Sequence, residues 1–90
     1  MIRKRFIYSG HVQGVGFRWR AKKAAEMYGV TGWVRNDWNG SVTMEVQGSE
    51  EQIDQVTAAI RRRMYIRIDI TKCRTIPANP DKRRFRTAYD

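Results

Sequence analysis

Three glycines within seven residues, Gly10, Gly14 and Gly16, stand between a strand-like run and a helix-like one. A chain turns that sharply only where positive φ is cheap, so residues 10–18 limit the possible folds more than any other stretch. They also point to a chemistry. Glycines let consecutive backbone N–H groups turn inward, and the helix that follows adds unpaired N–H groups and the positive end of its dipole. Arg18, in the first turn, supplies a planar fork of donors. Together these predict a cradle for a small dianion, a phosphoryl group foremost. The alternative is a tight βα turn in which the glycines serve geometry alone and Arg18 is solvated. Two common glycine loops are excluded by spacing: no Gly-Lys-Ser/Thr closes the loop, and no third glycine completes Gly-x-Gly-x-x-Gly.

Ninety residues make one domain, residues 1–90, that buries roughly 60–65% of its unfolded surface around a single core. A formal charge of +9, from 18 basic and 9 acidic residues, draws anions without choosing among nucleic acid, an acidic membrane surface and a phosphorylated metabolite. Cys73 is the lone cysteine and His11 the lone histidine, so no internal disulfide and no His/Cys zinc set is expected; metal and cofactor are both expected to be none. Cys73 reads as a small buried or half-buried strand residue rather than a nucleophile. No apolar run is long enough to span a bilayer, and the basic start leads into strand-like sequence rather than a signal peptide; a cytoplasmic chain is expected.

Along the chain, residues 3–9 read as a strand. Phe17, Ala21, Ala24, Ala25 and Tyr28 form the apolar stripe of a helix that Gly29 ends. Residues 30–36 read as a strand carrying Trp33, which is expected in the core or under the hairpin that follows. Asn39-Gly40 predicts a type I′ turn with positive φ at both central residues, leading into a strand in which Val42, Met44 and Val46 alternate with Thr43, Glu45 and Gln47. Ser49 and Gln52 form a capping box for a second helix whose apolar side is Ile53, Val56, Ile60 and Met64, and which frays through Arg61-Arg62-Arg63. Ile66, Ile68 and Ile70 alternate in a fourth strand; a proline-marked loop at residues 77–81 precedes a short final strand with Phe85, Thr87 and Tyr89. The order β-α-β-β-α-β plus a short extra strand predicts an α+β, ferredoxin-like sandwich: an antiparallel sheet with two helices on one face.

The residues resemble the acylphosphatase family. The loop reads Gly10-x-Val12-Gln13-Gly14-Val15-x-Phe17-Arg18, and a second signature reads Gly32-Trp33-Val34-Arg35-Asn36, then Gly40-x-Val42 and Gly48, with Ala25 and Gly29 matching between them. The resemblance covers residues 3–89 and implies hydrolysis of an acyl phosphate to a carboxylate and inorganic phosphate. It implies that Arg18 and the backbone N–H groups of Gln13, Gly14, Val15, Gly16, Phe17 and Arg18 hold the phosphoryl oxygens, and that Asn36 orients the attacking water. Elementary chemistry agrees. Phosphoryl transfer asks mainly for positioning and charge neutralisation, and a carboxylate leaves without a general acid. Asn36 is no base, but its amide can fix a water; the plain alternative is a strand-end residue bonded to its own turn. The chain departs from the family in lacking Gly-Pro after the second helix, where it runs on into Met64-Tyr65, and in placing Asn39 where Asp is usual.

Two rival functions are set against this. RNA-recognition modules share the fold but need base-stacking aromatics on the central strands. Here the third strand carries Glu45, which opposes a phosphate backbone, so the pattern argues against nucleic acid as a partner. The other rival is a non-catalytic phosphate- or RNA-binding accessory domain, which an intact Arg18 and Asn36 pair does not suggest. His11 is expected beside the site as an exposed bystander. Trp19 and Trp38 are candidates for an acyl-binding rim. The expected partner is a small acyl phosphate, with no membrane association and a monomer as the default.

Overall fold

The computed structural model describes residues 1–62, 67–80 and 84–88. Its elements are β1 (Ile2–His11), α1 (Phe17–Tyr28), β2 (Thr31–Asn36), β3 (Val42–Gly48), α2 (Glu50–Arg61), β4 (Arg67–Ile76) and β5 (Phe85–Thr87). The strands form one sheet in the order β4-β1-β3-β2-β5. The first four pair antiparallel, as the alternation predicts, and β5 adds to the edge of β2 in parallel. Expectations that fell on Arg63, Met64, Tyr65, Ile66, Asp81 and Tyr89 lie outside the described residues.

Period two decides what each strand buries. On one face Phe6, Tyr8, Val34, Val42, Met44 and Val46 join Ile53, Val56 and Ile60 of α2 and the Phe17, Ala21, Ala24 and Ala25 stripe of α1 in a single core. Alanines on α1 let the helix lie close to the sheet. Tyr8 is fully buried, its ring 5.0 Å from that of Phe17, which anchors the start of α1 to the centre of the sheet. The capping box forms as read: Gln52 N–H donates to Ser49 Oγ (3.1 Å) and Ser49 N–H to Gln52 Oε1 (2.8 Å). Gln52 Nε2 also donates to the Tyr28 carbonyl (2.9 Å), so one side chain opens α2 and closes α1.

Three local expectations are corrected. The hairpin turn is not type I′, because no residue other than glycine has positive φ among those described. Gly40 N–H donates to the Asp37 carbonyl (3.1 Å) and Asp37 N–H to the Ser41 carbonyl (2.8 Å), which makes Trp38, Asn39 and Gly40 a three-residue loop with positive φ (94°) at Gly40 alone. Asn39 instead uses its side chain, accepting from Ser41 N–H (3.1 Å) and Ser41 Oγ (2.7 Å). Trp33 is half-buried on the helix-free face rather than in the core, with the Arg35 guanidinium 5.1 Å from its ring centre. Cys73 lies on a strand as expected but is exposed, because β4 is the outer strand of the sheet.

The helix-free face carries a buried charge cluster. Arg3 donates through Nε (3.1 Å) and Nη2 (3.0 Å) to Glu45 Oε1, while Arg5 reaches Oε2 through Nε (2.8 Å) and Nη2 (2.7 Å). Burial pushes the Glu45 carboxyl up, but its bonds from Arg5 and Arg3 outweigh this and hold it below the usual carboxylate value. A carboxyl depressed in the folded state stabilises fully above its unfolded pKa, about 4.3, and loses that contribution as pH falls through the folded value. Stability is therefore expected to be flat from about pH 5 to 8 and to fall below about pH 4. Glu45→Gln should flatten part of that acid slope in denaturant melts; a profile that tracks the wild type would contradict the assignment.

Candidate active site

The strand-to-helix passage works as the sequence predicts. Gly14 (φ 72°) and Gly16 (φ 83°) both sit in the left-handed region, and Gly16 is the N-cap of α1. No side chain caps this helix and its first turn holds no acid, in contrast to α2, whose capping box and Glu50 and Glu51 satisfy its own N-terminus. The start of α1 is left with N–H groups and dipole suited to an outside anion. A side chain at either glycine would meet nothing within 4 Å, so the glycines are required by φ and not by crowding.

The loop opens on a cleft of about 380 Å³. Gly14 and Gly16 form its loop wall, Phe17, Arg18, Trp19 and Lys22 of α1 its helix wall, and Asn36 of β2 and Thr87 of β5 come from the sheet. Arg18 and Asn36, 18 residues apart in sequence, thus face one cleft. They converge because β1 and β2 both run toward that end of the sheet with β3 between them.

Asn36 Oδ1 is buried and has no hydrogen-bond partner among the described residues. A buried acceptor left unmade costs about 1–3 kcal/mol, so its partner is to be sought in the cleft. The alternative in which Asn36 bonds its own turn does not describe this oxygen; the turn is held by Asp37 and Asn39. Asp37 accepts from Thr43 Oγ1 (2.6 Å), Ser41 Oγ (2.9 Å) and Arg35 Nε (3.1 Å). Burial raises the Asp37 carboxyl, but these three bonds outweigh it and bring the carboxyl below its ordinary value.

Gln13 has a role that sequence reasoning missed. Its Nε2 donates to the carbonyls of Asp37 (2.6 Å) and Ser41 (2.8 Å), bracing the glycine loop against the strand end that carries Asn36. Neither the Gln13 nor the Val15 side chain lines the cleft. Gln13→Ala should lower kcat about tenfold or more by loosening that relation, since small misplacements are costly, with inorganic phosphate affinity falling less. Loss of phosphate binding equal to the loss in kcat would instead make Gln13 a direct ligand.

His11 is exposed at the end of β1 and outside the cleft, as expected of a bystander. Of the two rim candidates, Trp19 (59% exposed) lines the cleft and Trp38 (96% exposed) does not. Lys22 and Thr87 were not foreseen. Lys22 could have been, since it stands four residues after Arg18 on the same helix face; nothing local marks Thr87. Arg18, Lys22, Asn36 and the loop amides give the lining its polar character, and among the described residues no carboxylate, imidazole or thiol lines it. Such a set suits an anion that needs neutralising without a protein acid or base.

The ferredoxin-like sandwich thus brings a glycine loop, an arginine and an asparagine to one cleft. The acylphosphatase family pattern matches residues 4–87, and the chain belongs to that family. It is 33% identical to an acylphosphatase of Clostridium acetobutylicum over 81 residues, 89% of each chain. It is 50% identical to an acylphosphatase of Bordetella avium over 56 residues, 62% of this chain and 60% of that one, so that match spans less than two thirds of the relative. The crystal structure of acylphosphatase from Bacillus subtilis superposes with a TM-score of 0.91 at 27% identity, covering 99% of this chain and 100% of that one.

Proposed function

We propose that the chain, acting as a single domain, is an acylphosphatase that hydrolyses the carboxyl–phosphate bond of small acyl phosphates to a carboxylate and inorganic phosphate. The observation that carries this reading is the shared cleft: a glycine cradle and Arg18 on one wall and an unpartnered buried amide oxygen, Asn36 Oδ1, on another.

Arg18 and the backbone N–H groups from Gln13 to Arg18 hold the phosphoryl oxygens and neutralise charge as it spreads over them. Asn36 Oδ1 accepts from a water and sets its oxygen in line with phosphorus. That oxygen attacks, the P–O bond to the acyl carboxylate breaks, and the bonding pair leaves on the carboxylate while the water's proton passes to solvent or the product phosphate. The leaving acid has a pKa near that of glutamic acid, about 4.3, so no protein acid is required. Trp19 borders the space left for the acyl group.

No helix among the described residues is long and apolar enough to cross a membrane. The large exposed apolar side chains, Met1, Trp19, Met27 and Trp38, are scattered along the chain, which supports a monomer. The test is hydrolysis of benzoyl phosphate by the purified chain, followed by ultraviolet absorbance with a chelator present. Turnover inhibited competitively by inorganic phosphate is expected; a folded chain that binds phosphate without turnover would favour the accessory-domain alternative.

A further inference from the structure

Two register rows cross the helix-free face of the sheet. Arg74, Arg5, Glu45, Trp33 and Arg86 stand abreast on β4, β1, β3, β2 and β5, and beside them Lys72, Ile7, Thr43 and Arg35 stand abreast on the first four of those strands. Residues abreast project to the same side, and here it is the side away from Phe6, Val34, Met44 and the helices. At roughly 4.8 Å between neighbouring strands the longer row spans about 19 Å. Nearer the start of β1 the face is crossed by the chain, where Gln47 Nε2 donates to the Asn79 carbonyl (2.7 Å) and Asn79 N–H to Gln47 Oε1 (2.6 Å). The two rows stay open: the Arg5 and Arg35 side chains are 42% and 43% exposed, and Lys72, Arg74 and Arg86 are exposed. Two hollows adjoin there, about 180 Å³ bordered by Trp33, Arg35 and Arg5 and about 210 Å³ bordered by Arg5, Lys72 and Arg74, with Ile7 lining both.

We propose that this face binds single-stranded RNA, with a base stacked on Trp33 and phosphates along the cations of the two rows. Two features of the sequence oppose nucleic acid, an acid on the third strand and the want of a stacking aromatic on the central strands. The fold answers both. Glu45 is enclosed by Arg3 and Arg5, and Asp37 is engaged by Arg35, Ser41 and Thr43, whereas Lys72, Arg74 and Arg86 have no acidic partner among the described residues. Trp33 stands on the open face between β3 and β5, with the Arg35 guanidinium 5.1 Å from its ring centre. An aromatic ring and guanidinium groups on an open sheet are what sheet-built modules use to hold unpaired bases of RNA. A duplex has no free base for the hollows, and an acidic peptide has charge but no ring for Trp33. The cleft of Arg18 and Asn36 lies on the helix side, so RNA binding and hydrolysis stand or fall separately.

The probe is a fluorescein-labelled uridine oligonucleotide of about eight residues, titrated with the purified chain by anisotropy at several salt concentrations. The expected Kd is about 10⁻⁶–10⁻⁴ M, and log affinity should fall with log salt at a slope of about −2 to −3, as for three or four neutralised phosphates. Lys72→Gln with Arg74→Gln should weaken binding about tenfold and make the slope shallower by about 1.4. Lys23→Gln with Arg62→Gln removes the same charge from exposed positions on the helix side and should change affinity by less than about twofold. Unlabelled RNA should quench tryptophan emission, and Trp33→Phe should lose that quench although Trp19 and Trp38 remain. No binding at low salt overturns the proposal, as does an equal loss in Lys23→Gln with Arg62→Gln, or a quench that persists in Trp33→Phe. Tighter binding of the matching DNA oligonucleotide overturns the assignment to RNA. Equal affinity for an acidic peptide of the same charge overturns it in favour of a protein segment, and displacement by inorganic phosphate overturns it by placing the RNA in the glycine cradle.

Discussion

Arg18→Ala is expected to abolish hydrolysis, lowering kcat/KM by about 10³–10⁵, and to remove inhibition by inorganic phosphate. Both losses come from one cause. Arg18 lines the cleft beside the glycine loop, with Lys22 a helical turn further on, and the proposed mechanism gives its guanidinium the phosphoryl oxygens, whose charge is present in the ground state and more widely shared in the transition state. Arg18→Lys keeps the charge but not the planar fork, so it should recover phosphate binding before it recovers rate. Measuring phosphate inhibition and kcat on the same preparations separates these effects. Because Arg18 is only half-buried and begins a helix anchored by Phe17, the variant should still fold, which a thermal melt checks. Survival of either activity or phosphate inhibition would contradict the cradle.

Asn36→Ala should give the opposite pattern: kcat down by about 10²–10³, with phosphate affinity within about threefold of wild type. Its effect on stability sharpens the prediction. Most substitutions of a partly buried residue destabilise, but Asn36 Oδ1 is buried without a partner, and removing such a group relieves a desolvation cost. Asn36→Ala should therefore melt at or slightly above the wild-type temperature while losing nearly all activity, a trade expected where a site keeps an unsatisfied group for a substrate water. Asn36→Asp restores an acceptor but adds a negative charge beside the phosphoryl group, so it should lose both rate and phosphate affinity. A stable, active Asn36→Ala would remove Asn36 from the chemistry.

The features that sequence made legible are those set by local physics. The alanine stripe and Gly29 bounded α1, the Ser49 and Gln52 pair bounded α2, and the alternation at Val42, Met44 and Val46 chose the core face. The glycine spacing located the loop, and the resemblance supplied Asn36, which no local pattern would have singled out. What escaped notice depends on distant partners. The turn at Asn39-Gly40 has three loop residues rather than two because Asp37 pairs with Ser41, and Asn39 bonds through its side chain instead of adopting positive φ. In the sequence Glu45 reads only as an acid that opposes a phosphate backbone; in the fold Arg3 and Arg5, 42 and 40 residues earlier, enclose it. The parallel docking of β5, the Gln13 brace and the arrival of Thr87 at the cleft are likewise contacts between segments that sequence reading treats separately.

The most direct measurement is single-turnover hydrolysis of benzoyl phosphate in ¹⁸O-enriched water with a chelator present, reading where the label goes. If Asn36 aims a water at phosphorus in the cradle, the purified chain turns the substrate over and the label enters inorganic phosphate, with none in benzoate. No turnover by the folded chain, or label in the benzoate carboxyl, would contradict the account.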